Sequence, residues 1–219
     1  TLTSGQPLSL CLNGYSFTCA DKSQPAVTLR GTKGKAIPVL DISDCTGGGT
    51  LGGRTSGDKG GGILAESADV NLNGGAISGN KAKNGGGLSQ QQADYLYLYG
   101  GEIKNNVATG SGGGLYSNDA NRASLIGGSI TGNSAHQGGG VYLREQEFKL
   151  RDVTITGNTA AEGGGFWISC NNNWVHTFTG TPYVYGNTTT GIAPNIYVAD
   201  RNMYLTISGN GFESLSADL

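Results

Sequence analysis

A glycine triplet followed by an apolar residue recurs five times at nearly constant spacing, beginning at Gly60, Gly85, Gly112, Gly138 and Gly163 and leading into Ile63, Leu88, Leu115, Val141 and Phe166. The steps are 25, 27, 26 and 25 residues. A second marker keeps the same phase: an isoleucine three places before an asparagine, at Ile77/Asn80, Ile103/Asn106, Ile130/Asn133 and Ile155/Asn158, with weaker copies at Val184/Asn187 and Ile207/Asn210. Two markers sharing one period define a structural repeat, and a unit this short buries a face only by stacking on its neighbours.

Each period holds three short stretches that alternate apolar and polar residues, the signature of strands. In the fourth copy these are Val141-Tyr142-Leu143, Phe148-Lys149-Leu150 and Val153-Thr154-Ile155-Thr156. Three strands and tight Gly/Asn corners in about 26 residues fit one coil of a parallel β-helix. The fold class expected is therefore all-β, a single-stranded right-handed parallel β-helix; nothing reads as a helix. Residues 1–53 read as irregular N-terminal coils or a cap, 54–168 as regular repeats, 169–182 as a long loop and 183–219 as irregular C-terminal coils, cut from a longer protein.

Composition excludes competing classes. Glycine supplies 40 of 219 residues, against roughly 7% in ordinary chains, but there is no Gly-x-y period and only 5 Pro, so collagen is out. Formal charge is −2, with 14 Lys+Arg against 16 Asp+Glu and no block of either sign; nucleic acid, which needs a basic footprint, is not an expected partner. No apolar run is long enough for a membrane-spanning helix. The start, Thr1-Leu2-Thr3-Ser4, lacks the features of a signal peptide and reads as a mature or excised domain. Four cysteines, Cys11, Cys19, Cys45 and Cys170, form no Cys-x-x-Cys pair that would suggest zinc. Cys11 alternates with inward leucines and points outward, where Cys19 or Cys45 could reach it; spacing leaves the pairing open. No metal or cofactor is expected.

The chain resembles the right-handed parallel β-helix repeats of adhesin-like cell-surface proteins from gut anaerobic bacteria. The matching elements are Leu10-Cys11-Leu12-Asn13-Gly14, Asp44-Cys45-Thr46-Gly47-Gly48-Gly49, the Gly-Gly-Gly-apolar and Ile-x-Gly-Asn copies, and Asn195-Ile196-Tyr197-Val198. More distantly it is similar to the repeats of polymorphic outer-membrane autotransporters, although their Phe-x-x-Asn element is replaced here by Ile-x-Gly-Asn. The resemblance implies an extracellular or cell-surface location and a monomeric domain within a larger surface protein. Its partner would be a glycan or a host or bacterial surface protein.

The outward positions carry the functional expectation. Tyr116, Tyr142, Trp167 and Tyr197 follow the inward residue of the first strand in successive coils, which makes a vertical aromatic ladder that could stack on sugar rings beside Gln91 and Asn118. Tyr97 and Tyr99 form a second outward set on another face. Trp174 and His176, in the 169–182 stretch, could add a pocket. Such rings equally stabilise a sheet surface. The candidate site is thus Tyr116, Tyr142, Trp167, Tyr197, Trp174, His176, Gln91 and Asn118, in a non-catalytic adhesin or carbohydrate-binding module. A structural spacer or protein-binding stalk is the first alternative. A polysaccharide lyase or glycoside hydrolase is the second, for which Glu145, Glu147 and Arg144 form the only acid/base cluster in view. The Asn column and the Gly triplets read as architecture, because Asn amides bond at turns and from coil to coil.

Overall fold

The computed structural model describes residues 7–32, 35–170, 174–190, 195–199 and 204–207. The chain winds as a right-handed parallel β-helix whose coils contribute one strand to each of three faces. Face 1 runs from Val27–Arg30 through Ile63–Glu66, Leu88–Gln91, Leu115–Asn118, Val141–Arg144 and Phe166–Ser169 to Ile196–Val198. Face 2 runs from Leu8–Cys11 through strands that include Tyr95–Leu98, Arg122–Leu125 and Glu147–Arg151 to Val175–Thr179 and Tyr204–Ile207. Face 3 runs from Ser16–Thr18 to Tyr183–Tyr185. Every pairing is parallel and in register, so equivalent residues of successive coils stand directly over one another.

That register turns the apolar alternation into continuous inner columns. Ile63, Leu88, Leu115, Val141 and Phe166 are buried on face 1, and Leu51, Ile77, Ile103, Ile130 and Ile155 on face 3. Face 2 stacks Leu72, Leu98, Leu125, Leu150 and Phe178. Ala82, Ala108 and Ala160 are buried as the sequence implies, whereas Ala135 is only half-buried. Removing one such side chain, Ile to Ala, costs about 2–5 kcal/mol. The two polar residues on the inner side of face 1 are satisfied. The Gln90 amide donates to the carbonyls of Tyr95 (2.7 Å) and Ala68 (3.3 Å), and the Ser117 hydroxyl donates to Gln146 Oε1 (2.9 Å).

The glycine triplet has two physical causes. Its first member is left-handed in every copy, with φ between 58° and 67° at Gly60, Gly85, Gly112, Gly138 and Gly163. The next two have no room: a β-carbon on Gly113 would lie 2.3 Å from the Gly139 carbonyl, and one on Gly114 would lie 2.7 Å from that of Gly140.

The asparagine column is a hydrogen-bonded ladder through the buried corner after face 3. Asn133 Nδ2 donates to Asn158 Oδ1 (3.0 Å) and to the Ile103 carbonyl (2.9 Å), and its backbone N–H donates to the same Asn158 oxygen (2.9 Å). Asn80, Asn106 and Asn158 repeat the pattern up to Asn187. Arg54 occupies the ladder position one coil before Asn80. Its backbone N–H donates to Asn80 Oδ1 (3.3 Å), while its buried guanidinium donates to the carbonyls of Ser56 and Gly60 at 2.6 and 2.8 Å. A disulfide, Cys11–Cys45, ties the first coil to the second, with Cα atoms 6.5 Å apart, and leaves Cys19 and Cys170 as thiols.

The 169–182 stretch differs from the sequence expectation. Val175–Thr179 is a strand of face 2, paired with Glu147–Arg151 and with Tyr204–Ile207. Its Val-His-Thr-Phe-Thr alternation places His176 inward in the column that Phe148 occupies one coil earlier. A histidine in a core column disguised the strand. Residues 171–173, between it and face 1, lie outside the described residues.

Candidate functional site

In-register parallel strands hold outward side chains about 4.8 Å apart, and on face 1 this assembles the aromatic ladder. Tyr116 and Tyr142 stack at 5.0 Å and 7°, Tyr142 and Trp167 at 4.4 Å and 6°, and Trp167 and Tyr197 at 6.2 Å and 19°. The stacking decides what the ladder can offer. A sugar packs against a ring face, and both faces of Tyr142 and of Trp167 are taken by neighbouring rings, which leaves these residues 7% and 9% exposed. Burial pushes the Tyr142 phenol up to about 12 and raises that of Tyr116. The Trp167 indole N–H donates to Glu162 (3.2 Å), which also accepts from Gln137 (2.9 Å). The end rings, Tyr116 and Tyr197, are half-buried.

The polar neighbours are similarly occupied. Gln91 accepts from Lys59 Nζ at 2.8 Å and donates to the Ser89 hydroxyl at 3.3 Å. Asn118 donates to Asp119 (3.1 Å), and its buried Oδ1 has no hydrogen-bond partner among the described residues. Trp174 is half-buried, with an indole N–H that is likewise without a partner among them. His176 is not beside a surface pocket but in the core, fully buried and stacked on Phe148 at 4.3 Å. Its Nδ1 accepts from the Phe148 N–H (3.3 Å), and burial pulls its pKa down to about 4. It is a neutral core residue near pH 7, because desolvation disfavours the imidazolium.

Arg144, Glu145 and Glu147 do not converge as an acid/base set. Arg144 is exposed at the end of its face 1 strand, Glu145 turns the corner with left-handed backbone (φ 54°), and Glu147 begins the next strand on face 2. The Glu147 carboxylate is held by Arg122 of the preceding coil, at 2.6 Å from Nη2 and 2.8 Å from Nε, a bidentate pairing that keeps it an acceptor. Among the described residues no group of three or more His, Cys, Asp and Glu is placed to hold a metal ion.

Exposed aromatic surface lies instead on face 2. Tyr95, Tyr97 and Tyr99 project outward from one strand and its end, with successive rings stacked at 5.8 Å and 5.1 Å. Tyr97 is half-buried, and the flanking Tyr95 and Tyr99 are 40% and 50% exposed. These rings follow one another along a strand, so each end of the row keeps an open flank. Arg122, Ser124, Asn71 and Asp41 lie in register beside it, with Asn71 donating to Asp41 at 2.7 Å. Tyr97 and Tyr99 were legible as an outward set; Tyr95 continues the same alternation one step earlier.

At the corner between faces 2 and 3, directly after Tyr99, glycines of successive coils line a trough of about 530 Å3. Its sequence signal, a Gly-Gly pair at 74–75, 100–101 and 127–128, keeps the repeat phase as faithfully as the triplets do. No protein-family model, no curated protein and no solved structure matches the chain. The fold defines a right-handed parallel β-solenoid, and no helix in the described residues is long and apolar enough to cross a membrane.

Proposed function

We propose that this β-helix is a non-catalytic binding module of a surface-displayed protein, holding a glycan against the tyrosine row of face 2. One observation carries the reading: three outward tyrosines stacked along one strand, two of them 40–50% exposed. Polar neighbours with both donors and acceptors suit sugar hydroxyls, and aromatic flanks suit the apolar faces of sugar rings. Surface display is carried over from the resemblance to adhesin-like repeats. The face 1 ladder, with its ring faces consumed by stacking, supports a mechanical role and favours a rigid spacer as the second reading.

The test is a glycan array of mucin and plant polysaccharide fragments probed with the parent and with Tyr95→Ala/Tyr99→Ala. Binding by the parent that disappears in the folded double variant supports the proposal. Binding that survives the double substitution, or a parent that binds no glycan, rejects it.

A further inference from the structure

We infer that the glycine trough beside Tyr99 is a track for an uncharged, extended polysaccharide lying along the solenoid axis, with about one sugar ring per coil. This deepens the proposal above and rests on it. Gly48, Gly75, Gly101 and Gly128 line the floor in four successive coils, so the track covers three coil steps, about 14 Å at a spacing near 4.8 Å.

The trough cannot fill with side chains. Gly75, Gly101 and Gly128 are left-handed, with φ of 78°, 74° and 71°. A β-carbon on Gly100 would lie 2.6 Å from the Asn73 carbonyl, and one on Gly127 would lie 2.5 Å from that of Tyr99. Stacking therefore requires the glycines. The trough's length and the exposed ring adjoining it are separate observations, and these point to a ligand.

The walls select its chemistry. Lys104 and Glu102 neutralise each other as an ion pair, and Ser129 adds a hydroxyl. Asp44, at one end, has both oxygens occupied by the N–H groups of Gly14 (2.7 Å) and Gly49 (2.6 Å). No net charge remains to hold an anionic polymer. A polypeptide adding as a strand would need unpaired backbone groups, but the backbone here is bonded from coil to coil. Ala76, Glu102 and Ser129 N–H donate to the carbonyls of Gly49 (2.9 Å), Gly75 (2.8 Å) and Gly101 (3.0 Å). Hydroxyl-rich rings, which bond to side chains and stack on Tyr99, fit what is left. The floor ends where the next coil replaces Gly-Gly by the exposed Arg151-Asp152.

The experiment is calorimetric titration with cello-, xylo- and chito-oligosaccharides of two, four and six rings. The proteins are the parent, Ser129→Trp, Glu102→Trp and Tyr95→Ala/Tyr99→Ala, with thermal melts to confirm folding. Ser129 and Glu102 point outward from face 3 strands, where a large aromatic is tolerated, and two blocking positions guard against one failing to fold. Expected is at least a tenfold gain in parent affinity from two rings to four. Either blocking variant should lose that gain and keep the two-ring affinity. Equal affinity for all lengths, or a length gain that survives both blocking variants, overturns the track while leaving the tyrosine row in place. A parent that binds no member of the panel overturns both.

Discussion

Protonating one buried imidazole should loosen the coil that carries both tryptophans. His176 is fully buried against Phe148, and its pKa falls from 6.5 in the unfolded chain to about 4 in the fold. The folded state thus binds fewer protons than the unfolded one between these values. The contribution is fully present above pH 6.5, is lost as pH falls through the window, and is gone below about 4. At 1.36 kcal/mol per pKa unit the full loss is about 3 kcal/mol. Trp167 and Trp174 flank this coil and are the two tryptophans of the chain, so urea unfolding followed by their fluorescence reports on it directly. His176→Gln can keep an acceptor for the Phe148 N–H and does not titrate. Between pH 7.5 and pH 4 the parent should lose about 3 kcal/mol more than this variant. Carboxylates whose pKa is lowered by hydrogen bonds, such as Asp44 and Asp152, also weaken the fold in acid, but they do so in both proteins and cancel. If parent and variant fall in parallel, the imidazole is not buried as described.

Four further perturbations probe the architecture. Asn133→Ala strands the Asn106 N–H and amide and the Ile103 carbonyl inside the core; at about 1–3 kcal/mol per buried orphan, urea titration should show a loss of about 3–5 kcal/mol. Gly113→Ala forces a β-carbon to 2.3 Å from the Gly139 carbonyl; the backbone must shift, and differential scanning calorimetry should register a destabilisation of about 1–3 kcal/mol. Cys45→Ser opens a bridge spanning 34 residues; chain entropy assigns it about 3–4 kcal/mol, and reducing the parent should reproduce the faster hydrogen exchange expected in Leu8–Cys11 and Val39–Ser43. Tyr142→Ala removes the middle of the face 1 stack at about 3–5 kcal/mol, yet should leave glycan affinity at the face 2 row unchanged in titrations on the folded protein.

The repeat made the coil legible because two markers, Gly-Gly-Gly-apolar and Ile-x-x-Asn, reported different corners of the same unit. Strand alternation then fixed which residues point inward, and even the inward Gln90 and Ser117 found partners. What alternation could not supply was competition between outward residues. Tyr142 and Trp167 do face outward, but in-register pairing at the spacing of one ring makes each the other's cover. His176 was lost for the opposite reason: it sits where an apolar residue was required, so the Val175–Thr179 strand read as loop. The trough was hidden by a habit of reading glycine as a corner, when a glycine pair repeated in phase also marks a strip of surface with no side chains.

The asparagine ladder also has a direction. In every rung the amide N–H points toward the C-terminal coil and the oxygen toward the N-terminal one. The amide dipoles therefore add, as peptide dipoles do in a helix, into a column whose negative end lies at Asn80. Arg54 stands at that end, a buried cation whose guanidinium bonds to backbone carbonyls. The column acts as a distributed counter-charge, which accounts for a positive side chain inside a glycine corner. Polarity of this kind makes the two ends of the solenoid chemically unequal: one end terminates the dipole column with a cation, and at the other Asn187 carries it onward from Asn158.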